Sequence, residues 1–217
     1  MGAGILLAAT HDVSSAPAAR DVAAARSLLQ QARISAPASD FRTEVAEVSA
    51  IQRRILAAAP VNKGIDHGQG RELTDVLRLG YGLCFDRSRA IETVLRTAGY
   101  EVRHAAIYST AQTGSALSSL ATPRVPSHAV TEVKTSRGWM IIDSNRPWLG
   151  LTRSGEPMDL ARLSEIDRSL IAGRPNKIFE DRFTYLYGLY SRHGGFYPPY
   201  NPVPDVNWSE LAQNIRL

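Results

Sequence analysis

The stretch Gly80-Tyr81-Gly82-Leu83-Cys84-Phe85-Asp86-Arg87-Ser88 contains the only cysteine of the chain, and the pattern downstream of it decides the fold. A glycine-rich turn opens here into an amphipathic segment. Ile91, Val94, Leu95 and Ala98 keep the i, i+3, i+4, i+7 spacing of a helix, and Gly99 suits the position just past its end. Cys84 therefore stands at a helix start, where unpaired N–H groups and the helix dipole favour negative charge. A thiol attacks only as thiolate, and that location, like a neighbouring imidazolium, favours the thiolate form. The same N–H groups are suited to an oxyanion, and Gly82 allows a tight turn that points the sulfur outward.

Two strands come next, residues 127–134 and 139–143, joined through Thr135-Ser136-Arg137-Gly138. If Ser136 and Arg137 form a two-residue loop, His128 falls opposite Asn145, and Asp143 lies two residues away on the same face as His128. An Asp so placed accepts the Nδ1 proton of His128 and stabilises the imidazolium. Cysteine, then histidine on one strand, then aspartate on the next, is the order of a thiol-nucleophile triad. Glu132 shares the His128 face, where it either tunes the site or sits as a solvated edge charge. Asp86 faces solvent or caps the first helical turn.

Elsewhere the pattern gives a linker over 11–19, a helix over 20–33, and a second helix to about residue 59 capped by Ser39 or Asp40. Beyond these lie a loop over 62–70, a short helix over 72–79 and a strand over 102–108. Residues 109–127 read as a long surface loop, 159–172 and 179–190 as helices, and 193–208 as an aromatic, Pro-rich tail. The fold class is α+β. Tyr197 and Tyr200 in that tail, with Trp139 on the hairpin, are candidate substrate contacts. The tail otherwise reads as an extended segment packed over the core.

The 217 residues, 44% hydrophobic and 21% charged, suit an ordinary globular domain with a well-buried core. The net charge of +4 comes mainly from scattered arginines, which does not point to a specific nucleic-acid partner. A single cysteine excludes an internal disulfide and leaves the redox compartment open. His67 and His104 lack the spacing of zinc ligands, so neither a metal nor a cofactor is expected. The apolar start, residues 1–10, is short and lacks a basic leader region. As written the chain is expected in the cytoplasm; were that run the tail of an anchor, it would belong at the bacterial envelope or its periplasmic face.

Three segments resemble the transglutaminase-like superfamily, which has a papain-like core and a Cys-His-Asp triad. They are Gly82-Leu83-Cys84 with its helix and the Arg103 strand, His128-Ala129-Val130-Thr131-Glu132-Val133, and Gly138-Trp139-Met140-Ile141-Ile142-Asp143. The resemblance spans residues 71–146. It implies a papain-like core with N-terminal helices packed against a small antiparallel sheet, over 20–178, preceded by an extension over 1–19. Residues 179–217 would then be an extension packed on the same domain. It further implies that Cys84 forms a thioester acyl-enzyme, that His128 is the acid and base, and that Asp143 orients His128. The expected activity is that of a bacterial cysteine peptidase or amidohydrolase acting on a protein or peptide, with hydrolysis ahead of acyl transfer. The alternative is a non-catalytic binding or assembly protein on the same fold. Two departures stand out. Ser144 and Asn145 come after the aspartate where the family has Pro and Thr, and the oxyanion side chain has no clear match, leaving Tyr81 with Gly82 as the candidates.

Overall fold

In the computed structural model, residues 10–35, 37–66, 68–122, 124–190 and 204–215 are described. The central sheet has four antiparallel strands: β2 (Val102–Ser109), β3 (Ser127–Thr135), β4 (Gly138–Asp143) and β5 (Phe183–Tyr187), in the order β4-β3-β2-β5. A short parallel pair, β1 (His11–Asp12) and β6 (Asp205–Val206), ties the early and late segments of the chain together. The helices are α1 (Ala19–Ala32), α2 (Phe41–Ala58), α3 (Leu73–Leu79) and α4 (Cys84–Ala98), then the short α5 (Ala116–Ala121), α6 (Leu160–Glu165) and α7 (Trp208–Leu211).

Strand alternation divides the interior in two. On one sheet face Val102, Val133, Met140 and Ile142 meet Ile51 and Ile55 of α2 and Ile91, Val94 and Leu95 of α4. On the other, Ala105, Ile107, Val130 and Ile141 pack under Trp148, Met158, Leu160, Leu163 and Phe179. α4 lies between sheet and outer helices, so even Asp86, Arg87, Arg89 and Glu92 are buried. That burial obliges each polar group to find a partner inside the protein.

Several expectations need correction. Residues 183–187 form a strand, because Phe-Thr-Tyr-Leu-Tyr is aromatic and β-branched and pairs with β2 from Ala105 to Ser109. The 159–172 segment is helical only over Leu160–Glu165 and in a 3-10 turn at Arg168–Leu170. The loop after β2 contains α5, capped by Ser115. At α2 the cap is Asp40, which accepts a hydrogen bond from Thr43 N–H at 3.0 Å.

Candidate active site

Cys84 is the first residue of α4 and is partly exposed. The approach to it is set by α3, which ends at Gly80 with φ 72°, the left-handed conformation glycine adopts without strain. Asp86 then caps the entry to α4 by accepting from Leu83 N–H at 2.9 Å, and lies 3.8 Å from Arg71. It is buried, so the capping reading holds and the solvent one does not. Gly82 has a different role from the one its sequence suggests: a Cβ there would sit 2.9 Å from Asp86 Cβ, so its absence lets the cap close.

The hairpin has the register that a two-residue loop dictates, with Thr135 opposite Gly138 and Val130 opposite Asp143. Asp143 therefore shares the face of Val130 and His128 and is the diagonal neighbour of the histidine. His128 Nε2 is 3.2 Å from Asp143 Oδ1. This corrects the expected ring nitrogen: Nε2, not Nδ1, meets the carboxylate, which leaves Nδ1 for another partner. Cys84 lies within hydrogen-bonding reach of the same imidazole. Asp143 Oδ1 also accepts from Asn145 N–H at 2.7 Å and Arg146 N–H at 3.1 Å, an Asx-type turn that fixes the carboxylate.

Burial disfavours the charged imidazole, but the hydrogen bonds and negative charges of Asp143 and Cys84 outweigh it and raise its pKa to about 9. A folded pKa above the unfolded value of about 6.5 adds stability that is fully present below that value and lost as pH rises through about 9. Urea melts should therefore show wild type losing roughly 3 kcal/mol relative to His128→Gln between pH 6 and pH 9.5. Parallel curves for the two proteins would contradict the ion pair.

Residues 30–144, more than half the chain, match the family model described as the transglutaminase-like superfamily. The chain belongs to the transglutaminase-like superfamily. Among solved structures it resembles a candidate cysteine protease from Cytophaga hutchinsonii at 18% identity and a TM-score of 0.40. That likeness covers 56% of this chain and 38% of the other, so the chain matches well under half of that protein. A search of the curated proteins finds no match. No helix among the described residues is long and apolar enough to cross a membrane.

The candidate site is braced by side chains that sequence patterns did not single out. Arg87, buried one turn after Cys84, donates from Nη2 to Asn62 Oδ1 and Asn145 Oδ1, both at 2.5 Å, and from Nη1 to Ala59 C=O at 3.2 Å. Burial lowers its pKa, opposed by the charges of Cys84, Asp86 and Asp143; an arginine nonetheless stays cationic. Asn145, one of the departures from the family pattern, thus fastens the post-Asp143 turn to α4. Ser144, the other, donates from Oγ to Ala129 C=O at 2.5 Å and ties that turn to β3. Gln52 of α2 gathers the same turn, its Nε2 lying 2.7, 2.9 and 2.8 Å from the carbonyl oxygens of Asp143, Arg146 and Trp148. Its position gave a signal: four residues after Val48 and three before Ile55, it is a polar residue inside an apolar stripe.

Other named residues lie elsewhere. Gly82 N–H is bonded to Val61 C=O at 3.2 Å, which removes it as an oxyanion donor. The Tyr81 ring packs against the helical core, with Lys63 Nζ 4.8 Å from its centroid. Trp139 sits at the turn end of the hairpin, opposite Lys134 and with Arg103 4.1 Å from its ring, roughly four strand residues or about 13 Å from Asp143. Glu132 is fully buried, 2.6 Å from Arg103 Nη2, and accepts from Leu160 N–H at 2.6 Å, so it is not a solvated edge charge. His104 is enclosed between Ser88, 3.1 Å from its Nδ1, and the Tyr190 ring. His67, Tyr197 and Tyr200 lie outside the described residues.

Proposed function

We propose that the chain is a thiol hydrolase that opens a peptide or isopeptide bond of a protein or peptide through a thioester acyl-enzyme. The observation that supports this most directly is one imidazole, His128, bonded to Asp143 and within hydrogen-bonding reach of Cys84. Cys84 as thiolate attacks the carbonyl carbon and forms the S–C bond. N–H groups at the start of α4 receive the developing oxyanion. The C–N bond breaks as His128 protonates the leaving amine, and the thioester remains on Cys84. His128, now neutral, takes a proton from water, which attacks the thioester and releases the acid. Asp143 holds the imidazole in place throughout, and the fixed charge of Arg87 stabilises the anionic side of the site.

p-Nitrophenyl acetate, an activated ester open to any accessible thiolate, tests this whatever the natural substrate is. A burst of one nitrophenolate per Cys84, with the acetyl group located on Cys84 by mass spectrometry and both lost in His128→Ala, is the expected result. Decay of the acetyl-enzyme at a rate unchanged by added glycine methyl ester marks a hydrolase. Acceleration with formation of the amide would reassign the chain as an acyltransferase. No acetyl-Cys84 at all would favour a binding protein on the same fold.

A further inference from the structure

On the side of Phe179, whose ring packs against His128, the surface opens into a cleft of about 600 Å³ whose lining includes Arg146, Arg168, Arg174, Lys177, Phe179 and Glu180. Four cations face it against one carboxylate. None of the four takes part in an ion pair among the described residues; Arg168 only donates from Nη1 to Leu163 C=O at 2.8 Å. Unpaired like charges around one concavity repel one another, and an anion entering it removes that repulsion.

The cleft is joined to the reacting groups on two sides. Phe179, its buried wall, presents an edge-on ring 6.3 Å from the His128 imidazole and is itself packed on Trp148 at 5.7 Å. Arg146 is three residues after Asp143, and its backbone is fixed by Asp143 Oδ1 and Gln52 Nε2. The far rim is also built rather than loose. Trp148 Nε1 donates to Ala172 C=O at 2.8 Å, and a Cβ on Gly173, whose φ is 72°, would stand 3.3 Å from the Trp148 ring. Arg174 comes directly after that anchored pair.

We infer that this cleft is a substrate subsite for a carboxylate-bearing stretch of the peptide, so that the enzyme acts beside acidic residues or beside a free chain terminus. The inference rests on the thiol-hydrolase reading and specifies its substrate. Arginine recognises carboxylates through paired N–H donors, and a cluster of cations concentrates an anionic chain near the nucleophile.

Three affinity labels test it: iodoacetyl-Gly-Gly-Glu-Glu-amide, iodoacetyl-Gly-Gly-Gln-Gln-amide, and the Gln-Gln label with a free C-terminal carboxylate. In each the Cys84 thiolate forms an S–C bond and iodide leaves. At low salt a carboxylate label should react about tenfold faster than the neutral one. That excess should vanish at high salt and in the double variant Arg174→Gln, Lys177→Gln, whose reaction with plain iodoacetamide stays at the wild-type rate. Which carboxylate label gains tells side chain from terminus. Equal rates for all three labels, or a preference that survives the double variant, would overturn the subsite. Slow, His128-independent reaction with iodoacetamide itself would instead count against the thiol-hydrolase reading. In that event fluorescence anisotropy of dye-labelled Gly-Gly-Glu-Glu reads the cleft directly. Salt-sensitive binding lost in the double variant supports the subsite, and no such binding overturns it.

Discussion

Replacing Glu92 with alanine is expected to lower folding stability by about 3–5 kcal/mol, the range seen when one partner of a buried ionic group is removed. Glu92 is fully buried two turns after Cys84. Its Oε1 accepts from Arg96 Nη2 at 2.9 Å and Tyr190 Oη at 2.8 Å, and its Oε2 lies 3.7 Å from Arg89 Nη1. Burial alone would favour the protonated acid, yet Arg89, His104 and Arg96 hold its carboxyl below the usual glutamate value. The neighbouring Glu210 is pushed up to about 7 by burial and by the charge of Glu92. Without Glu92, Arg89 keeps only Glu72, and Arg96 keeps only Glu210, as carboxylate partners among the described residues. The cluster joins α4 to the segment after β6, so its loss loosens the helix that presents the thiol. Urea denaturation checks the figure. Glu92→Gln, which keeps a hydrogen-bonding oxygen but no charge, should fall between wild type and Glu92→Ala. A loss under about 1 kcal/mol for the alanine variant would mean that the cluster adds little beyond packing.

Asp143→Ala is expected to slow alkylation of Cys84 by iodoacetamide at pH 6 by about a hundredfold, and Asp143→Asn by about tenfold. The carboxylate is among the influences that favour the His128 imidazolium, and each pKa unit lost from the imidazole shifts the balance between the thiolate–imidazolium pair and the neutral thiol–imidazole pair tenfold toward the neutral pair. Alanine also removes the acceptor for Asn145 N–H and Arg146 N–H and so frees the turn that Gln52 and Arg87 converge on. Asparagine keeps an oxygen for those two donors and loses only the charge. Far-UV circular dichroism of both variants guards against unfolding as the cause. Wild-type rates in Asp143→Ala would rule out a role for the aspartate in activating the thiol.

The hairpin is the most legible part of the chain. Gly138 after Ser136-Arg137 admits a two-residue turn, its φ being 123°. The turn sets the register, and the register alone puts His128 and Asp143 on one face. The start of α4 is equally readable, because apolar spacing and Gly99 bracket it. The ring nitrogen that meets Asp143 is not, since it depends on a side-chain torsion that no sequence period encodes. Arg87, Arg89 and Glu92 look like solvent positions of an amphipathic helix; only the three-dimensional stacking of α4 between sheet and helices buries them. Residues 183–187 read as part of a helix, although their aromatic and β-branched composition favours the strand they form. The cationic cleft is hidden for a further reason. Arg146, Arg168, Arg174 and Lys177 are scattered along the sequence and meet only because Trp148 and Phe179 fold the connecting loops over the sheet.

The proposed catalysis depends first on Cys84 and His128 forming a thiolate–imidazolium pair. The most direct test is the rate of Cys84 alkylation by iodoacetamide as a function of pH, in wild type and in His128→Ala. With one cysteine in the chain the signal has a single source. Fast reaction persisting well below pH 7 in wild type, and lost in the variant, is the expected result. A rate that rises only near pH 8–9 in both proteins, as for an ordinary thiol, would contradict the pair.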